Sequence, residues 1–219
     1  MEVRVDDKVL LVTGAVQGLG RAVALAAARS GAAAIILTDR NTQRGDEVVS
    51  EILKLGTKAA LVAADLEERD APARIISAAI DQFGRLDGLV NAAGLSDRGS
   101  VAEADTALFD HLFAVNTRAP MFLMQGLIRH LKERKAPGSI VNILSFQAHG
   151  AAVNLAVYGA TKAAMSLLTK NAAFARPPGC TGGPPRFASG QSGAPTPGAS
   201  PPPSSDRERP FETRFHIRN

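Results

Sequence analysis

Tyr158 and Lys162 stand four residues apart in "YGATK", and Ser145 lies thirteen residues upstream of the tyrosine. If the stretch from about 156 to 175 is helical, that spacing sends a phenol and an ammonium out from one face. A phenol with the ordinary pKa of about 10 is a poor base at neutral pH, but an ammonium beside it stabilises the phenolate. Tyr158 could then give or take a proton. A serine hydroxyl held nearby would bind a carbonyl or alcohol oxygen and keep it close to the phenol. Taken alone, a Tyr and a Lys at this spacing occur on many helices, and a serine after a strand caps many turns.

A second constellation gives the pair more weight. "TGAVQGLG", residues 13 to 20, follows the apolar run Val9-Leu10-Leu11-Val12 and precedes an alanine-rich helical pattern ending at Gly31. Glycines on a strand-to-helix turn suit a pyrophosphate at a helix N-terminus. Gly14 permits the tight turn, Gly18 opens the backbone to a ligand, and Gly20 lets the helix approach the strand, with Gln17 and Leu19 completing the binding turn. The spacing Gly-x3-Gly-x-Gly departs from the commoner G-x-G-x-x-G, so a glycine-rich turn without a ligand stays open on this stretch alone. Asp39, nineteen residues after Gly20 at the end of "AIILT", could accept hydrogen bonds from both hydroxyls of an adenosine ribose and would repel a 2′-phosphate. It could also merely cap the following helix. A dinucleotide is expected, NAD in preference to NADP.

The elements that must position these groups alternate. Strands are expected at 9–12, 34–38, 58–65, 86–94 and 138–145, with helices at 19–30, 41–56, 68–83, 103–134 and 156–175. Five strands separated by helices predict an α/β fold, a doubly wound parallel sheet with helices on both faces and the ligand at the carboxyl ends of the strands.

Composition bounds the partners. The chain has 219 residues, 45% of them hydrophobic, and a single cysteine, Cys180, so one domain with a full core and no internal disulfide is expected. Of the net charge of +4, the segment from 176 onward carries +3, from six arginines against Asp206, Glu208 and Glu212. The rest is nearly neutral, with one tyrosine and no tryptophan, which argues against a nucleic-acid partner. No His/Cys/carboxylate cluster has metal-ligand spacing. No leader pattern opens the chain and no apolar stretch approaches membrane-crossing length, so a cytoplasmic protein without a membrane partner is expected.

From about residue 6 to 175 the chain resembles the short-chain dehydrogenase/reductases. Thr13 to Gly20 matches their Thr-Gly-x3-Gly-x-Gly, Tyr158 and Lys162 their Tyr-x3-Lys, and Asp65-Leu66 the pair that lies beside adenine. Asn91-Ala92-Ala93-Gly94 stands where the family has Asn-Asn-Ala-Gly, with Ala92 replacing the second Asn, and Asn116 in "AVNTRAP" matches the Asn of the family's proton relay. The resemblance implies a Rossmann-type domain over 1–175 that transfers a hydride between NAD(P) and a secondary alcohol or ketone. Tyr158 would be the acid or base, Lys162 would bind the nicotinamide ribose, Asn116 would hold a relay water and Ser145 would orient the substrate oxygen. Asn91 would hold the sheet together and border the cofactor with Ala92. A homodimer through helices 103–134 and 156–175 is also implied. The segment "FQAHGAAVNLAV", 146 to 157, would shape the substrate pocket, and His149 could touch substrate there.

After Ala175 the resemblance stops. Residues 176–219 hold ten of the thirteen prolines and no Leu, Val, Met, Tyr or Lys. This composition cannot build a core and predicts a disordered Pro/Gly/Arg-rich tail, of the kind GC-rich coding DNA gives when read out of frame. The sheet is expected to be incomplete at its C-terminal edge, with "SIVNILS" exposed. The alternative function is therefore a truncated, inactive cofactor-binding fragment or an interaction protein.

Overall fold

Val9, Leu11, Val12 and the whole run from Ala34 to Leu37 are buried, as two strands covered on both faces require. The computed structural model describes residues 4–174. In chain order the elements are β1 (Val9–Thr13), α1 (Gly18–Arg29), β2 (Ala34–Asp39), α2 (Thr42–Lys54), β3 (Lys58–Ala63), α3 (Ala71–Phe83), β4 (Gly88–Asn91), α4 (Thr106–Phe113), a π turn (Ala114–Arg118), α5 (Ala119–Glu133), β5 (Ser139–Asn142), a 3-10 turn (Phe146–Ala148) and α6 (Ala156–Phe174). All strand pairs are parallel, in the order β3-β2-β1-β4-β5. The expected doubly wound α/β sheet is what forms.

Side chains alternate across the sheet with a period of two. Leu11, Ile36, Leu89 and Ile140 join one core with residues of α3, α5 and α6, such as Ile75, Leu123, Leu127 and Met165. Val12, Ile35 and Leu37 join the other with Leu25, Val48 and Ile52 of α1 and α2. The chain order reverses between β1 and β4, and the crevice at that switch point is where such sheets take ligands.

Several boundaries differ from the sequence expectation, each for a local reason. The single helix expected over 103–134 is divided by the π turn. Pro120 has no N–H to give the Asn116 carbonyl, so regular α-helical pairing cannot run through this segment. β4 ends at Asn91 because the next two backbone N–H groups, of Ala92 and Ala93, both donate to Thr13 Oγ1 at 3.1 Å instead of to a strand. β5 stops at Asn142, although Ile143 N still donates to Asn91 O, and Ser145 opens the 3-10 turn. α3 starts later than expected, at Ala71, with Pro72 in its first turn, and ends at Gly84 with φ +72°.

Among the described residues β5 is the last strand of the sheet, pairing with β4 on one side. Its Ile140 is buried and Val141 partly exposed. The expected tail 176–219 lies outside the described residues. Among those residues no helix is long and apolar enough to cross a membrane.

Candidate active site

The glycine turn has the geometry that its residue types demand. Gly14 has φ +62° and its N–H donates to Thr38 O at 2.9 Å, tying the turn to β2. A Cβ on Gly14 would lie 2.7 Å from Ala93 Cα, so this glycine also admits the chain leaving β4. Gly18 has φ +53° and nothing within 4 Å of where its Cβ would be. A Cβ on Gly20 would collide with the Gly14 carbonyl, so α1 can start this close to β1 only through glycine. α1 opens with Gln17 as its N-cap, without a side-chain cap and with no acidic residue in its first turn, which leaves its N–H groups to an anion. The Gln17 side chain is held by Arg44 of α2, whose Nη1 donates to Oε1 at 2.7 Å.

This turn is one wall of a cleft of about 300 Å³ at the carboxyl ends of the strands. Asp39 and Arg40 form its far end, Asp65 and Leu66 stand beside them, and Ala92, Gly94, Leu95 and Val115 close the near side. Leu19, 44% exposed, overhangs it. Asp39 Oδ1 accepts from Asn41 N at 3.0 Å, and Asn41 caps α2 through Arg44 N. Asp39 thus fixes the turn before α2, whose cap is Asn41 and not Asp39, and it also lines the cleft. Asp65 likewise fixes its own turn, with Oδ1 accepting from Glu67 N at 2.9 Å. An open glycine turn, an uncapped helix start and two carboxylates along one cleft fit a dinucleotide's adenosine half.

Lys162 and Asn116 meet beside Gly94 at the edge of this cleft. Lys162 is only 6% exposed. Its Nζ donates to Ile143 O at 3.0 Å and lies 5.7 Å from the Tyr158 ring centroid. Burial lowers the Lys162 pKa to about 8, so near neutral pH the ammonium is still the main form. A Cβ at residue 94 would sit 3.4 Å from both Lys162 Nζ and Asn116 Oδ1, so Gly94 keeps open a small space between them.

Asn116, in the π turn, is 2% exposed. Its side chain clamps Leu95, with Oδ1 accepting from Leu95 N and Nδ2 donating to Leu95 O, both at 2.8 Å. Nδ2 also donates to Thr161 Oγ1 at 3.1 Å, and that hydroxyl donates to Tyr158 O at 2.7 Å. The amide thus joins the β4 loop, the π turn and α6 beside the tyrosine. Ser145 is 8% exposed, and its hydroxyl donates to Gln147 Oε1 at 2.9 Å while accepting from Gln147 N at 3.3 Å. The 3-10 turn that it opens abuts α6 next to Tyr158, where a Cβ on Gly159 would be 3.4 Å from Gln147 O. His149 is exposed at the end of that turn.

Asn91 ties the two last strands of the sheet, its Nδ2 donating to Asn142 Oδ1 at 2.7 Å, and Asn142 Nδ2 passes on to Thr169 Oγ1 of α6 at 2.9 Å. Asn91 Oδ1 is buried without a hydrogen-bond partner. Gly14, Gln17, Gly18, Leu19, Gly20, Asp39, Asp65, Leu66 and Ala92 line the cleft, Lys162 and Asn116 stand next to Gly94 at its edge, and His149 is exposed away from it. Thr13 heads the glycine motif, whereas Arg44, Asn142, Gln147 and Thr161 were not singled out, although they hold the others in place. Their partners lie two to 51 residues away, and no local motif signals them.

Comparison with known proteins agrees with this geometry. The chain is 40% identical over 142 residues to the short-chain dehydrogenase/reductase FrzI of Cladobotryum sp, covering 65% of this chain and 54% of that protein. It is 36% identical over 130 residues to versicolorin reductase stcU of Emericella nidulans, covering 59% and 49% respectively. The chain spans about half the length of these curated relatives. Among solved structures, a metagenomic short-chain oxidoreductase in complex with NADP superposes with a TM-score of 0.73 at 33% identity, covering 77% of this chain and 76% of that one. A dehydrogenase/reductase from Sinorhizobium meliloti 1021 gives 0.73 at 35% identity, covering 79% and 68%. Residues 8–178 match the family model described as short chain dehydrogenase, and the chain belongs to that family.

Proposed function

We propose that this chain transfers a hydride between a nicotinamide dinucleotide and a secondary alcohol or ketone. The observation that carries the reading is Lys162, a buried cation aimed by the Ile143 carbonyl, beside Tyr158 and across the Gly94 gap from Asn116. Burying an ammonium is costly, and holding one against a tyrosine serves proton transfer at the phenol. When bound, a nicotinamide ring would supply the hydride acceptor in oxidation and the hydride donor in reduction.

The chain's own residues do the rest. Gly14, Gln17, Gly18, Leu19 and Gly20 would bind the pyrophosphate, Asp39 the adenosine ribose, and Asp65 and Leu66 would lie beside adenine. Asn91, Ala92, Tyr158 and Lys162 would border the nicotinamide half. In oxidation Tyr158, as phenolate, takes the alcohol proton; in reduction the phenol returns it to the carbonyl oxygen. Lys162 stabilises the phenolate. Ser145 holds the reacting oxygen once Gln147 releases its hydroxyl. Because the Asn116 amide is committed to Leu95 and Thr161, the relay water falls to its main-chain carbonyl, whose α-helical partner Pro120 removes.

NAD is favoured over NADP, since the Asp39 carboxylate meets a 2′-phosphate with like charge; Arg40 in the cleft and Arg44 on Gln17 oppose that preference. Exposed Phe109, Phe122 and Leu167 on α4, α5 and α6 support pairing of two chains through these helices.

The test is titration of the purified chain with NAD(H) and NADP(H), scored by thermal shift, then turnover on a panel of alcohols and ketones. Tyr158→Phe should retain dinucleotide binding while losing about two to four orders of magnitude in turnover. Absence of binding to either dinucleotide overturns the proposal. Activity that survives Tyr158→Phe assigns the acid elsewhere, and binding without any turnover leaves a cofactor-binding fragment.

A further inference from the structure

The loop after β3 and the helix α4 meet at the cleft. Glu67 is held by both its backbone groups: its N–H donates to Asp65 Oδ1 at 2.9 Å, and its carbonyl accepts from Arg118 Nη2 in the π turn. Its side chain reaches α4, where Oε2 lies 2.9 Å from His111 Nδ1. His111 lines the cleft together with Leu66 and with Val115, one helical turn further on. Its side chain is 39% exposed, so the ring is open to a ligand in the cleft. Nε2 has no hydrogen-bond partner among the described residues.

The sheet says what this ring would meet. Strand order β3-β2-β1 puts the glycine turn after β1, Asp39 at the end of β2 and the Asp65–Glu67 loop after β3. A dinucleotide whose phosphates sit on that turn and whose ribose meets Asp39 carries its base one strand further, about 5 Å, to the loop that holds His111. A carboxylate beside Nδ1 favours the tautomer with its proton on Nδ1, which leaves Nε2 as an acceptor. Adenine answers that acceptor with its 6-amino group, whereas the 6-oxo group of hypoxanthine can only accept at that position. We propose that His111 is a base-recognition residue: held by Glu67, it accepts a hydrogen bond from the 6-amino group of adenine and selects adenine dinucleotides over their 6-oxo counterparts. This rests on the oxidoreductase reading above. Asp65 also lines the cleft and can add to the same preference, so substitution at His111 is what isolates the share of the imidazole.

The experiment measures the dissociation constants of NAD and of nicotinamide hypoxanthine dinucleotide by isothermal titration at pH 8, where an ordinary imidazole is neutral. The unmodified chain should bind NAD more tightly by about tenfold or more. His111→Phe keeps an aromatic face but has no acceptor, and it should reduce that ratio by about two- to tenfold, the share of one neutral hydrogen bond. His111→Gln, whose side-chain carbonyl has about the reach of Nε2, should keep part of the ratio, and Glu67→Ala, which frees the ring, should lower it by less than His111→Phe does. Should His111→Phe fail to fold, His111→Ala gives the same reading. A histidine of merely structural use would weaken both dinucleotides alike, so loss of both affinities at a constant ratio overturns the proposal. A ratio near one in the unmodified chain overturns it too, as does a ratio that Glu67→Ala leaves untouched. Failure of the unmodified chain to bind either dinucleotide is a different result: it removes the oxidoreductase reading and the base contact with it, whereas NAD binding with a ratio indifferent to His111 removes the base contact alone.

Discussion

At the amino ends of the strands Asp87, 7% exposed, has both oxygens satisfied. Oδ2 accepts from Val9 N and pairs with Arg85 Nε, both at 2.9 Å, and Oδ1 pairs with Arg134 Nη1 at 3.3 Å. Close by, His130 Nε2 accepts from Leu86 N at 3.1 Å, and burial first, then the Arg134 charge, lowers its pKa, so the neutral ring that can accept is the favoured form. At the carboxyl ends the picture inverts. Asn91 Oδ1 and both Asp97 oxygens lack partners, the Lys162 ammonium is buried against one carbonyl, and Gly14 and Gly18 hold positive φ. The paired end spends its polar groups on joining β1, β4 and α5. The other end keeps hydrogen-bonding capacity in reserve, which is what a site that must bind charged and polar ligands requires.

Mutation of each end should move stability in opposite directions. Asp87→Ala leaves Val9 N unsatisfied and two arginines unpaired. It should cost about 2–4 kcal/mol, below the full value for a buried pair because the side chains of Arg85 and Arg134 are 38% and 31% exposed and can rehydrate. Chemical denaturation at neutral pH measures it; a loss under about 1 kcal/mol would erase the contrast between the two ends.

Lys162→Met should do the reverse. The folded-state pKa of about 8 lies below the ordinary 10.5, so between these values the unfolded chain binds more protons than the folded one, and this group's contribution makes stability rise with pH. Below about pH 8 the full penalty of burying an ammonium is present. Replacing it should stabilise the chain by up to about 3 kcal/mol at pH 7, with the gap over the unmodified chain closing toward pH 10.5. A difference that stays constant with pH would show that packing, not charge, separates the two proteins. The same substitution should abolish turnover.

The smallest effect sharpens the comparison within the carboxyl end. Asp39→Ala should shift relative affinity toward NADP by about tenfold, one charge interaction across a solvated cleft. Competitive titration of the two dinucleotides reads it, and an unchanged ratio would show that the Asp39 charge does not set the preference.

Much of this was legible in the residues because it rests on local rules. Unbroken apolar runs mark β1 and β2, glycine ends α1 and α2, and the strand-glycine-helix order places Gly14, Gly18 and Gly20 at a strand-to-helix turn whatever surrounds them. The i, i+4 spacing puts Tyr158 and Lys162 on one helix face from sequence alone. Where Pro120 interrupts the helix was also written in the chain, since a missing N–H is a property of the residue, although the sequence expectation ran one helix through it.

Only the tertiary structure decided which groups go unpaired. Nothing local distinguishes Asp87 from Asp97, each an aspartate just outside β4; the first meets Val9 and Arg134, 78 and 47 residues away, and the second meets no partner. The hold of Gln147 on Ser145, the Arg44 contact to Gln17 and the triple grip of Asn116 likewise depend on how helices cross over the sheet. Burial, which lowers the Lys162 pKa, is a sum over neighbours that the sequence does not place. Residue type and spacing determined what chemistry this chain can do; packing decided where an acceptor, a charge or a proton is left free to do it, because hydrogen-bond satisfaction and desolvation are set by distance in space and not along the chain.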